Sequence, residues 1–170
     1  MAVYTYFDGM AGLWSAVRQE GFTRLAERLD DVPPSADPVR HLAALGVAYV
    51  EHALANPDLY RVMFDSAYEL PDPVAAGASF GHLVELAAVA RDAGRFVADP
   101  ADVAQRYWAS GHGVTSLAVT GVLEVRELAR HAPALAEAVF IDAGDERERA
   151  ERSVRAAWRG RSPARLRPGG

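Results

Sequence analysis

Few residues in this 170-residue chain carry reactive chemistry, and their spacing limits what that chemistry is. Gly77-Ala78-Ser79-Phe80-Gly81 has the G-x-S-x-G spacing of a nucleophile elbow, for which His112 could be offered as the base. The elbow requires a strand feeding a strained turn, whereas the preceding Pro71-Asp72-Pro73-Val74-Ala75-Ala76 reads as a capped helix start. No hydrolase is expected. His82 and Glu85, three apart, share a helical face and would make half a metal site, but no second such pair occurs. The chain has no cysteine, which removes thiol nucleophiles, thiolate metal sites and disulfides. The expectation is therefore no catalytic residue, no metal and no cofactor.

Binding chemistry is better represented. Trp108 and His112 are four apart and so share one face of a helix, with Ser110, Gly111 and Gly113 beside them. Aromatics are only 9% of the chain, yet Trp14, Tyr49, Tyr60 and Phe64 fall on segments that meet the Trp108 helix in a helical bundle. Such residues line apolar pockets, where a few polar groups orient a small molecule. They are equally the residues of a packed core with a hydrogen-bonded imidazole, and the two readings are compatible. Trp14, Tyr49, Tyr60, Phe64, Trp108 and His112 are the candidate ligand-binding set.

The elements that must position them are all helical. Asp37-Pro38, Asn56-Pro57, Asp72-Pro73 and Asp99-Pro100 each place a side-chain acceptor at an N-cap and proline at the first helical position, where its missing N–H costs nothing. Apolar residues recur at three and four, as in Leu42, Leu45, Tyr49 and Ala53. Helices are expected near 10–29, 38–55, 58–64, 74–91, 101–119, 123–140 with a break before Pro133, and 145–158. No segment alternates with period two. On the last helix Asp145/Arg149, Glu148/Arg152 and Glu151/Arg155 stand at spacing four, acid first, as exposed pairs.

Net charge is −5 with 18 basic residues, all arginine, and 23 acidic ones. A chain of that balance has no general phosphate-binding surface, so any nucleic-acid contact must be local. No apolar run reaches the roughly twenty residues of a membrane span, and no signal peptide precedes the first helix, so no membrane partner and a cytoplasmic location are expected. Residues 160–170, mixing arginine with proline and glycine, read as a disordered tail.

Two stretches resemble a known family. Tyr4-Thr5-Tyr6-Phe7, a turn, then Leu13 and a helix closing on Gly21-Phe22-x-x-Leu25 resembles the junction of recognition helix and linker helix in TetR-type transcriptional regulators. Ala55-Asn56-Pro57-Asp58-Leu59-Tyr60-Arg61-Val62-Met63-Phe64, followed by Trp108-Ala109-Ser110-Gly111-His112-Gly113, resembles the effector domain of the WHG subclass, named for its Trp, His and Gly. The resemblance implies an all-α effector-binding and dimerisation domain over 9–159, with 1–8 the remnant of a helix-turn-helix. It further implies release of operator DNA when a small apolar effector binds, in a protein that has its helix-turn-helix. Tyr4, Thr5 and Tyr6 stand where the family contacts the DNA backbone, although Met10 replaces a frequent phosphate-touching lysine. A homodimer is expected through the helices at 101–119 and 140–158, with Ser110, Gly111, Ala118, Gly121, Val154 and Trp158 at the interface. The alternative is a stand-alone helical binding or interaction protein that keeps the pocket and has no operator.

Overall fold

The computed structural model describes residues 6–7 and 9–160. Among them are seven helices and no strand: α1 (Met10–Asp30), α2 (Pro38–Ala55), α3 (Pro57–Met63), α4 (Pro73–Asp92), α5 (Pro100–Val119), α6 (Val125–Asp142) and α7 (Arg147–Trp158). Tyr4 and Thr5, and residues 161–170 of the expected tail, lie outside the described residues. Tyr6 lies within them and is exposed.

The caps explain most of the boundaries. Asp37 accepts from the N–H groups of Val39 and Arg40, and Asp99 from those of Ala101 and Asp102, each ahead of a proline at the first helical position. Asn56 works differently from the expectation. Its side chain does not cap α3 but donates to the carbonyl of His52, satisfying the end of α2 while its backbone (φ −131°, ψ 59°) turns the chain.

Two other expectations are corrected. α6 runs unbroken through Pro133, because Leu128, Ala132, Ala136 and Phe140 form one buried stripe on both sides of it and the ring deletes a single N–H. Asp145 precedes α7 instead of starting it, so it makes no exposed pair with Arg149. Its carboxylate is buried against Arg95, at 2.7 Å to Nε and 2.5 Å to Nη2. The Glu148–Arg152 pair does form, at 3.5 Å on the exposed face of α7.

α2 is the axis of the bundle and touches each of the other six helices. It is apolar nearly all round, with Val39, Leu42, Leu45, Val50 and Leu54 all buried, as a central helix must be. The core divides into two clusters. One draws on all seven helices around Leu42, Leu45 and Phe140; the other joins α2, α3, α5 and α6 around Val50, Tyr60 and Leu128. Tyr49, Phe64 and Trp158 pack against both. The seam between the clusters is where the candidate site lies.

A buried ionic clasp closes the far end. Arg95, 5% exposed, reaches Asp145 before α7 and Asp37 before α2 (2.7 Å), and donates to Ser153 on α7 (3.1 Å). Ser153 in turn donates to Asp37 at 2.5 Å. Burial pushes the Asp37 carboxyl up, but the Ser153 hydroxyl, the Arg40 N–H and the Arg95 guanidinium outweigh it and hold the group below its ordinary value.

Candidate functional site

The helical spacing that puts Trp108 and His112 on one face of α5 aims them at the Tyr49 turn of α2. The His112 ring lies among three aromatics: Trp108 stacked at 5.6 Å, Tyr60 stacked at 5.7 Å, and Phe64 tilted at 4.2 Å between centroids. Its Nδ1 is 2.9 Å from the Tyr49 hydroxyl and 2.8 Å from the Tyr60 hydroxyl, and the two hydroxyls are 3.0 Å apart. The three groups form a closed triangle. Burial lowers the His112 pKa, which favours the neutral imidazole. Burial also raises both phenols, Tyr49 above the ordinary tyrosine range and Tyr60 to about 12, the latter opposed by its bond from Tyr49.

Beside the triangle is a cavity of about 210 Å³ along the seam between the two core clusters. Its walls come from six of the helices. Phe22, Leu25 and Leu29 of α1 form one side, Leu45, Gly46 and Tyr49 of α2 another. Ser79, Phe80 and Leu83 of α4 face Tyr107, Trp108, Gly111 and His112 of α5, with Ala132 of α6, Phe64 after α3 and Trp158 of α7 completing it. No Asp, Glu or Arg contributes to the wall. The surface is hydrocarbon and aromatic with a few neutral polar atoms, the chemistry of a small-molecule pocket.

Of the candidate ligand-binding set, Tyr49, Phe64, Trp108 and His112 line this cavity. Tyr60 stands behind His112 and reaches the space only through its hydrogen bonds. Trp14 is not on the wall: it stacks on Tyr68 at 5.8 Å, on the part of α1 where Arg18 donates to the carbonyls of Met63 (2.9 Å) and Tyr68. Sequence reasoning did not find Phe22, Leu25 and Leu29, although their three-and-four spacing marks a stripe. It also missed Tyr107, whose role depends on Gly46 across a helix contact.

The residues expected at a dimer face are scattered. Val154 is fully buried in the chain's own core, Trp158 lines the cavity, and Gly111 opens onto it. Ser110 donates to the carbonyl of Tyr107 (3.0 Å), Ala118 is half-buried, and Gly121 is exposed with φ 78°. Exposed apolar surface on these helices comes instead from Leu117 of α5, Val122 in the following turn and Leu135 of α6. The G-x-S-x-G run lies wholly inside α4, so Ser79 sits on a regular helix and no elbow is formed. Among the described residues no group of three or more His, Cys, Asp or Glu could hold a metal ion, and no helix is long and apolar enough to cross a membrane.

No curated protein matches this sequence. Among solved structures, a protein of unknown function from Rhodococcus sp. RHA1 is similar, with a TM-score of 0.72 at 24% identity over 82% of this chain and 76% of that one. That likeness concerns the fold. The family model described as the tetracyclin repressor-like, C-terminal domain matches residues 42–139, which run from the Leu42 turn of α2 to Val139 of α6 and contain most of the cavity wall. The chain belongs to the family of tetracyclin repressor-like C-terminal domains.

Proposed function

We propose that this chain is the effector-sensing part of a TetR-type regulator and that its effector is an apolar small molecule held in the cavity between α1, α2, α4 and α5. The observation that carries this reading is the shared wall. Phe22, Leu25 and Leu29 belong to α1, the helix that in this family follows the DNA-binding helices, and they line the same cavity as Trp108 and His112. A molecule entering there displaces α1 against α2 and α5, and a shift of α1 re-aims whatever precedes it. Binding is then coupled to operator release, provided the effector has unequal affinity for the two arrangements. The protein acts as a repressor in the cytoplasm and as a homodimer, with Leu117, Val122 and Leu135 as apolar surface for the second copy.

Thermal-shift screening with small neutral aromatics tests the binding step. Stabilising compounds are expected, and their effect should shrink in Trp108→Ala and His112→Ala. Hits indifferent to both substitutions would move the site away from this cavity. Light scattering at tens of micromolar tests association, and a monomer with intact helical circular dichroism removes the dimer.

A further inference from the structure

The two ring nitrogens of His112 have different surroundings. Nδ1 is enclosed by the phenols, 2.9 Å from the Tyr49 oxygen and 2.8 Å from that of Tyr60. Nε2, on the far side of the ring, has no hydrogen-bond partner among the described residues, yet it is not one of the sealed and unpaired atoms, as Nε2 of His41 and of His52 are. It keeps accessible surface, and the space that His112 borders is the cavity. Nε2 is therefore the atom through which this residue meets a bound molecule, and whether it presents a proton or a lone pair decides what it reads.

The proton count of the triangle settles that choice. With Nδ1 unprotonated, one hydroxyl donates to it and the second donates to the first, so both protons sit in bonds of 2.8–3.0 Å. A proton on Nδ1 brings a third. Nδ1 then donates to one hydroxyl and that hydroxyl to the other, and the remaining proton finds at best the His112 carbonyl, 3.4 Å from the Tyr60 oxygen. The imidazolium has the same surplus, and burial opposes its charge as well. The count fits the neutral ring with its proton on Nε2. Resting on the effector reading above, we infer that Tyr49 and Tyr60 hold His112 as an Nε2–H donor to the cavity, which thereby selects a neutral, mostly apolar molecule bearing a hydrogen-bond acceptor of the ketone or ester type. The wall offers an anion no charged side chain, so an ionised ligand would have to protonate His112 and bring the surplus proton into the triangle. The cavity, at about 210 Å³, is somewhat larger than the ~150 Å³ engineered apolar cavity that holds benzene, so a single ring with a short carbonyl substituent is the right scale.

The probes are two matched pairs: acetophenone against α-methylstyrene, which differ in an acceptor, and indole against indene, which differ in a donor. Affinities come from calorimetry, and the ring nitrogens of the five histidines are followed in long-range ¹H–¹⁵N spectra, with His112→Phe identifying the signals of interest. The ligand-free chain should show His112 as the Nε2–H tautomer. Acetophenone is expected to bind about tenfold more tightly than α-methylstyrene, and indole no more tightly than indene. The Nε2 signal should shift with the ketone and hardly with the alkene. His112→Phe should bring the ketone-to-alkene ratio close to one. Tyr49→Phe combined with Tyr60→Phe, which removes both hydroxyls, should mix the tautomers and shrink the same ratio. A proton on Nδ1 in the ligand-free chain overturns this inference and leaves the apolar effector pocket standing. So does equal binding of ketone and alkene, so does a ketone preference that survives His112→Phe, and so do a tautomer and ratio indifferent to loss of both hydroxyls. If His112→Phe fails to fold, the tautomer and the ligand shift in the unmodified chain decide, with the His112 ring assigned through its contact with Phe64, 4.2 Å between centroids. Absence of binding by all four probes up to their solubility overturns the effector reading, and the inference with it.

Discussion

The hydroxyl of Tyr107 occupies the space that a side chain at Gly46 would need: a Cβ there would lie 2.1 Å from the Tyr107 oxygen and 3.0 Å from Cζ. The glycine lets α5 bring a buried phenol against α2, where it donates to the carbonyl of Leu42 at 3.2 Å. Both residues border the cavity, so this contact sets the distance between two of its walls. Gly46→Ala must displace Tyr107 and cost about 1–3 kcal/mol by overpacking. Denaturant midpoints should show this loss, and Gly46→Ala combined with Tyr107→Phe should recover part of it.

The triangle of Tyr49, Tyr60 and His112 acts as a unit, so its members should not be additive. Tyr49→Phe and Tyr60→Phe should each cost about 0.5–1.5 kcal/mol, and the double variant less than their sum by about 0.5–1 kcal/mol. Urea denaturation of the four-member cycle gives the coupling. Strict additivity would mean that the three atoms are neighbours without a shared proton network.

Arg95→Met should be strongly destabilising, by about 3–5 kcal/mol, because it leaves the Asp145 carboxylate buried without a counter-charge. Asp37 and Ser153 lose a donor at the same time. Arg95→Met with Asp145→Leu should be more stable than Arg95→Met alone, since an apolar pair of similar size carries no unpaired charge. A double variant less stable than Arg95→Met would show that the clasp is needed for its geometry beyond charge balance.

Stability should fall with pH in two stages. His41, His52 and His112 all have lowered pKa values, through burial first, with His82 adding to it at His41 and Arg28 and Arg24 at His52. Below the ordinary histidine value the unfolded chain takes up protons that the folded one resists, so stability drops from about pH 7 downward until the folded groups titrate. Asp37 is held below its ordinary value, so its contribution is complete above the normal carboxylate range and is lost as pH falls through its folded value. Melting temperature recorded between pH 8 and 3 should decline in the first stage less steeply for His52→Leu, and in the second less steeply for Asp37→Asn.

Gly113, exposed in mid-helix with no atom within 4 Å of a Cβ placed on it, should accept alanine. Gly113→Ala is expected to stabilise the chain by about 0.5–1 kcal/mol through reduced unfolded-state entropy. A loss instead, accompanied by dissociation in sedimentation, would mean that a second copy approaches this face closely.

Local signals carried the helices and the family membership. Asp37-Pro38 and Asp99-Pro100 declare their helix starts because cap and proline act on the nearest turn alone, and the Trp108-to-His112 spacing places both on one face through helix geometry. Tyr49, Phe64, Trp108 and His112 could be grouped because each is aromatic and lies on a segment with a clear apolar stripe. What lies opposite them was not legible. The polar partners of Tyr49 and Tyr60, the seat of Tyr107 against Gly46, and the burial of Asp145 on Arg95, fifty residues away in the chain, are contacts between elements. Trp14 and Tyr60 differ in the same way: both are aromatics on amphipathic segments, but α1 turns Trp14 toward Tyr68 while α3 turns Tyr60 toward His112. The rotation of one helix against its neighbours is set by packing, and no residue pattern within a single segment encodes it.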